Sequence, residues 1–288
     1  MLGAIIGDIV GSPYEFSGRS IKTTDFPLFS ARSRFTDDTV MTCAVAAGLL
    51  APAVDEETEH NNLIDAMHSV GRQFPRAGYG QRFVLWIYGR KREPLNSYGN
   101  GSAMRVSPVG WMFERLEEVE RHAAISAAVS HNHPEGIKGA QSVAGSIFLA
   151  RTGATQADIK NYVEQRYGYD LSRTLEDIRP GYHHVETCQE SVPEAITAFL
   201  ESTGYEDAVR KAVSLGGDSD TQAAIAGSIA QAFYGEIPLE MLVGALKRLP
   251  PALLDIVKTW HDAGYGPKGL AAQLETQLSA LAANTSAN

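Results

Sequence analysis

Gly216-Gly217-Asp218-Ser219-Asp220-Thr221-Gln222-Ala223-Ala224-Ile225-Ala226-Gly227-Ser228-Ile229-Ala230 is a glycine turn running into a segment of mostly small residues. Its apolar positions recur at the helical period, and its short side chains suit packing of backbone against backbone. A second stretch repeats the plan about 180 residues earlier, where Thr36-Asp37-Asp38-Thr39 leads into Cys43-Ala44-Val45-Ala46-Ala47-Gly48. Close packing of the two helices would bring their N-terminal aspartates together, although a buried core helix needs small residues just as much.

Each aspartate cluster also has a plain reading as a helix N-cap, because Thr and Asp oxygens accept from free N–H groups and anions favour that end of the helix dipole. One acceptor suffices for capping, so the paired glycines and alternate carboxylates of the second cluster exceed that need. In an extended lead-in, residues two apart point the same way, so Asp218 and Asp220 can share an ion while Thr221 adds an oxygen. An oxygen-only set of this kind suits Mg2+ or Mn2+.

The helical period marks residues 40–50, 63–74, 82–88, 119–129, 137–150, 193–200, 208–215, 223–233, 239–249 and 253–260. Alternating β-branched segments are scarce, and no linker divides the chain into compositionally distinct halves. The pattern predicts one all-α domain, covering 1–278, with an Ala/Ser/Asn-rich tail at 279–288 expected to fray. At 288 residues and 44% hydrophobic content, the chain can bury a sizeable core.

Charge narrows the partners. The 25 Lys and Arg against 34 Asp and Glu leave 25 − 34 = −9, and the basic residues are scattered. Non-specific binding along a nucleic-acid backbone is disfavoured. A small anionic ligand is still compatible, since metal ions and helix N-termini supply local positive potential. Cys43 and Cys188 are too few for a disulfide framework, so a reducing, cytoplasmic setting is expected. The apolar start, Met1 to Val10, has no basic lead-in and carries Asp8, unlike a signal peptide. No apolar run is long enough to span a membrane.

Gly7-Asp8-Ile9-Val10-Gly11-Ser12-Pro13-Tyr14-Glu15 adds two acids. Asp8 sits in a helical, apolar context, where an acid is expected to be paired, hydrogen-bonded or metal-linked. Glu15 alone reads as an ordinary loop acid. Ser97-Tyr98-Gly99-Asn100-Gly101-Ser102-Ala103-Met104 reads either as a capped surface turn or as a loop whose N–H groups meet phosphate oxygens. It lacks the P-loop lysine. Ser130-His131-Asn132-His133-Pro134 fits a buried, hydrogen-bonded imidazole or a ring stacked on a base better than a zinc site. His183-His184 is expected to be exposed.

The order Gly-Asp-x-x-Gly-Ser-Pro-Tyr-Glu, Thr-Asp-Asp-Thr, Tyr-Gly-Asn-Gly-Ser-Ala-Met-Arg, Ser-His-x-x-x-x-Gly, Gly-Gly-Asp-Ser-Asp-Thr resembles the ADP-ribosylglycohydrolases, the ADP-ribosyl-acceptor hydrolases, from Gly3 to Gly235. The resemblance implies a compact orthogonal helical bundle with a binuclear Mg2+ or Mn2+ cleft. Thr36, Asp37, Asp38, Asp218, Asp220 and Thr221 would hold the ions, with Asp220 as bridge. Glu15 would assist catalysis beside Asp37 and Asp38. Ser97, Tyr98, Gly99, Asn100, Gly101 and Met104 would hold the diphosphate and adjoining ribose, with His131 near the adenine. Gly80 belongs to the segment Pro75–Arg82, which resembles the loop beside the scissile ribose.

That segment departs from the family's arginine-specific members, which carry an acid there; no aspartate occurs between Asp65 and Asp158. The implied activity is metal-assisted hydrolysis of an ADP-ribosyl glycosidic bond. Two readings compete with it: a non-catalytic ADP-ribose or nucleotide binder, and a hydrolase of another nucleoside-type linkage, including ADP-ribose on nucleic acid. A monomer suits the size, and neither acceptor nor partner can be read from the residues.

Overall fold

Glycine spacing on the first helix sets how the molecule is assembled. Gly3, Gly7 and Gly11 stand four apart in helix α1 (Leu2–Gly11) and therefore share one face. A methyl built on them would lie 2.3 Å from the Gly227 carbonyl oxygen, 2.1 Å from that of Ala223 and 2.4 Å from that of Ser219. All three oxygens belong to helix α13 (Ser219–Tyr234), so the two helices lie backbone against backbone along the whole of α1. Every residue of α1 is buried, as expected of a helix in which Asp8 is the one polar side chain.

The other helices wrap this pair. They run α2 (Asp37–Leu50), α3 (Glu56–Gln73), α4 (Gln81–Tyr88), α5 (Gly101–Met104), α6 (Ser107–Met112), α7 (Leu116–Ala128) and α8 (Pro134–Arg151). The second half adds α9 (Gln156–Tyr167), α10 (Leu175–Ile178), α11 (Cys188–Leu200), α12 (Tyr205–Val213), α14 (Leu239–Leu246), α15 (Pro251–Asp262) and α16 (Lys268–Ser286). The computed structural model describes residues 1–16, 18 and 20–286. Among them there is no strand; one antiparallel bridge joins Gly99 to Thr187.

All ten periodic segments fall on helices, and the fold is all-α around one apolar core that runs from Met1 to Leu274. Periodicity missed α9 because only Ile159 and Val163 of that helix are buried. Its ends are nevertheless written locally, in the Thr155/Asp158 capping box and in Gly168 at φ 65°. The segment expected to fray from 279 continues α16 as far as Ser286, and residues 287 and 288 lie outside the described residues.

Candidate active site

Asp8 joins α1 to the start of α2. Its carboxylate accepts from the Thr36 N–H at 2.9 Å, the Thr36 hydroxyl at 2.8 Å, the Thr39 N–H at 3.1 Å and the Thr39 hydroxyl. A buried acid thus meets the donors a helix start leaves unsatisfied. Thr36 caps α2 by accepting from the Asp38 N–H at 3.3 Å, while its own hydroxyl is given to Asp8.

The start of α13 is built by Gly216 and Gly217, at φ 73° and 75°. Side chains could not replace them: a methyl on Gly216 would stand 2.3 Å from the Ser20 Oγ, and one on Gly217 2.6 Å from the His183 carbonyl oxygen. Lys22 fastens this turn by donating to the carbonyls of Tyr182 at 2.7 Å and Leu215 at 2.5 Å.

The two helix starts meet directly, because the Thr221 hydroxyl of α13 donates to Asp38 Oδ2 of α2 at 3.2 Å. Asp218 accepts from the Asn100 side-chain amide at 2.7 Å, and Asp220 from the Thr221 N–H at 3.0 Å. Oxygens of Glu15, Asp218 and Asp220 all lie within 4.8 Å of one another, and Asp38 Oδ1 is buried without a hydrogen-bond partner among the described residues.

So many neighbouring acids perturb one another. Burial, followed by the charge of Asp218, raises Glu15 to about 7. Burial and the charge of Asp8 raise Asp37 to about 8, and the same two causes lift Asp38 well above the usual carboxylate range. Asp218 is raised by burial, and Asp220 by burial and then by Asp218. The group cannot hold full negative charge without compensation. An oxygen-only donor set, an unpartnered buried carboxylate oxygen and crowded acids fit hard divalent cations.

These acids form one wall of a cleft of about 330 Å3. Thirteen of the sequence-derived site residues border it: Glu15, Asp37, Asp38, Asp218, Asp220, Thr221, Gly80, Ser97, Gly99, Asn100, Gly101, Met104 and His131. Thr36 and Tyr98 stand outside its lining. Thr36 is buried against Asp8, while Tyr98 is half exposed and packs edge-on against His133 at 5.4 Å between ring centres. Asn100 spends its amide on Asp218 rather than leaving it free.

The 97–101 turn borders the same cleft and meets the acids through Asn100. The Asn100 N–H donates to the Glu186 carbonyl at 2.8 Å, and the Cys188 N–H to the Tyr98 carbonyl at 3.0 Å, so the start of α11 braces the turn. The Gly99 N–H donates to the Ser97 hydroxyl at 3.2 Å. Two N–H groups that the sequence offers to a phosphate are therefore occupied. His131 is buried, bonded through Nδ1 to the Ser130 Oγ at 2.8 Å, and burial with the charges of Arg105 and Arg82 holds it well below the usual histidine range. His183 and His184 are exposed, as expected.

Sequence reasoning missed Phe83, Arg105 and Glu186 in this lining. Phe83 lies on α4 with its ring 6.2 Å from that of His131, leaving an aromatic border for a planar group. Its only sequence signal was an apolar position one helical turn from the Gly80 loop. Arg105 was visible in the Met-Arg motif, but its complete burial was not.

The whole helical arrangement has a solved counterpart, an ADP-ribosylglycohydrolase-related protein complex, with a TM-score of 0.61 at 23% identity over 96% of this chain and 95% of that one. The likeness extends to the fold, an all-helical arrangement that here surrounds an acid-lined cleft. The family model for ADP-ribosylglycohydrolase matches residues 1–272, and the chain belongs to that family of glycosidic-bond hydrolases. It is similar to ADP-ribosylhydrolase ARH3 of Mus musculus, at 26% identity over 82% of each chain. It is also similar to ADP-ribosylarginine hydrolase Tri1 of Pseudomonas putida, at 28% identity over 82% of this chain and 69% of the relative. No helix among the described residues is long and apolar enough to cross a membrane.

Proposed function

We propose that this chain hydrolyses the bond between ADP-ribose and an acceptor group, with the scissile ribose against the acid wall and the diphosphate along the 97–101 turn. The observation that carries the reading is the junction of two helix starts 183 residues apart, Thr221 to Asp38, bordering one cleft together with that turn. Asp37, Asp38, Asp218, Asp220 and Thr221 would hold two Mg2+ or Mn2+ ions. Thr36, its hydroxyl committed to Asp8, orients Asp38. The ions supply positive charge and Lewis acidity at the sugar.

The chain's own groups do the rest. The cleft fixes the ribose so that a water starts near attack distance from C1. As the bond from C1 to the acceptor breaks with oxocarbenium character, the water oxygen bonds C1 and Glu15 accepts its proton, while the acceptor leaves with the bonding electron pair and takes up a proton. Asp37 and Asp38 oppose the developing positive charge. Phe83 and His131 border the base.

The rim bears on the acceptor. Gln81 and Arg82 line the cleft where the arginine-specific pattern has an acid, and a guanidinium leaving group would face the like charge of Arg82. Glu186 also borders the cleft, but its carboxylate is paired with His184 at 3.1 Å. An acceptor other than arginine follows. A cytoplasmic enzyme acting as one unit over 1–278 suits the two cysteines, both buried and free.

Release of ADP-ribose from serine-, arginine- and nucleic-acid-linked conjugates and from O-acetyl-ADP-ribose, with EDTA or Mg2+, tests the reading. Asp220→Asn is expected to abolish turnover with helix content retained, and EDTA to stop a reaction that Mg2+ restores. Full activity in metal-free protein, or in Asp220→Asn, would sink the assignment.

A further inference from the structure

His131 is joined to a buried cation through one hydroxyl. Arg105 is completely buried, and its Nη2 donates to the Ser130 Oγ at 2.9 Å and to the Ser126 carbonyl at 3.3 Å. Ser130 is also fully buried, and its Oγ lies 2.8 Å from His131 Nδ1. A hydroxyl has one proton to give. With Arg105 only able to donate, the Ser130 proton has a single hydrogen-bond acceptor in reach, the imidazole Nδ1. If Nδ1 carried the ring proton instead, Ser130 would accept twice and leave its own proton unpaired in the interior, which is unfavourable.

The ring's other nitrogen faces the glycine turn. A methyl built on Gly101 would stand 3.0 Å from Nε2, and one on Gly99 3.7 Å from it. Both glycines border the cleft, where the Gly99 and Asn100 N–H groups are already engaged.

We propose that Ser130 and Arg105 are positioning residues that fix His131 as the Nε2–H tautomer, so that the imidazole donates a hydrogen bond to a phosphate oxygen of the ligand at the Gly99–Gly101 turn. The ligand half of this inference rests on the ADP-ribose reading above. The tautomer half does not. The ring acts as a neutral donor, because the nearby guanidinium and burial oppose its protonation. Among the described residues Arg105 keeps Nε and Nη1 without hydrogen-bond partners; the charge of Asp37 favours its charged form, and that charge bears on the ring. Glycine at 99 and 101 leaves the space that the donated hydrogen and its acceptor need.

Nitrogen-15 spectra of the imidazoles in the intact protein decide the first half, with His131→Phe identifying the resonance. An unprotonated Nδ1 and a protonated Nε2 are expected without ligand, and Ser130→Ala is expected to mix the tautomers. A protonated Nδ1 in the unsubstituted protein overturns the proposal.

Calorimetric titration with ADP-ribose, ADP and adenosine decides the second half. Ser130→Ala is expected to weaken ADP-ribose and ADP roughly tenfold, the scale of a hydrogen bond to a charged acceptor, and to leave adenosine unchanged. Ser130→Thr, which keeps the hydroxyl, is expected to restore both the spectrum and the affinity. His131→Phe, which keeps an aromatic face, should show the same diphosphate-selective loss. Equal weakening of all three ligands, or of none, overturns the donor role. Unsubstituted protein that binds no ADP-ribose overturns the functional reading and the ligand half with it, while the spectrum still decides the tautomer.

Discussion

Replacing Gly11 by alanine should damage both stability and turnover, and replacing Gly3 should damage stability with much less effect on turnover. On Gly11 the new methyl would stand 2.4 Å from the Ser219 carbonyl oxygen and 2.6 Å from the Asp220 Cα; on Gly3 it would stand 2.3 Å from the Gly227 carbonyl oxygen. Both obstacles include backbone that cannot swing aside, and each contact is about 1 Å short of ordinary packing. With backbone as the obstacle, overpacking falls in the upper part of its usual range, about 2–3 kcal/mol, offset by about 1 kcal/mol from the better helix propensity of alanine, so each variant should lose about 1–2 kcal/mol. At roughly 2–4 °C per kcal/mol, melting should fall by about 2–8 °C.

Position separates the two variants. Gly11 presses on Asp220 itself, whereas Gly3 lies two turns away, about 12 Å along the helix. A shift of about 1 Å at a positioned acid can cost on the order of a hundredfold in rate. Differential scanning calorimetry and ADP-ribose release, measured on both variants at saturating Mg2+, provide the comparison. Equal turnover in the two variants, or unchanged melting in both, would refute this account of how α1 seats the acids.

Asp8→Asn should cost about 1–3 kcal/mol, since the amide turns one acceptor into a donor facing the Thr36 or Thr39 donors; a thermal melt equal to that of the unsubstituted protein would remove Asp8 from its role. Metal-free protein should become less stable as pH rises: burial raises Asp8 to about 6, Glu15 to about 7 through burial and then Asp218, and Asp37 to about 8 through burial and then Asp8. Raised acid values confer stability that is full below the unfolded range of about 4 and is lost as pH climbs through 6 to 8, so the Mg2+-induced rise in melting temperature should be larger at pH 8.5 than at pH 5.5. Equal rises would contradict the assignment.

Local chemistry explains what was legible beforehand. Thr36 and Asp38 announce a helix start by capping, and Gly216 and Gly217 announce a turn through the dihedrals they alone adopt readily. The small residues of α13 announce a close neighbour, but not that the neighbour would be α1. Non-local pairings escaped. The Asn100 to Asp218 bond spans 118 residues, and no local signal distinguishes an amide that meets a ligand from one that meets a carboxylate. Arg105 escaped for the opposite reason, because arginine ordinarily reads as surface and here lies wholly inside. Tyr98 sits in a motif that suggested a ligand contact, while the structure gives its ring to His133.

The embrace of α1 and α13 also sets an order of events during synthesis. Gly3 and the Gly227 carbonyl that it meets are separated by 224 residues, and translation at about 5–20 residues per second needs on the order of ten to forty-five seconds to cover them. Throughout that interval a helix apolar except for Asp8 waits without the surface it will cover. Asp218 and Asp220 leave the ribosome only as that wait ends. The acid centre is therefore completed late, with Glu15, Asp37 and Asp38 made about 180 residues or more before Asp218 and Asp220, and α1 stays uncovered for the same interval.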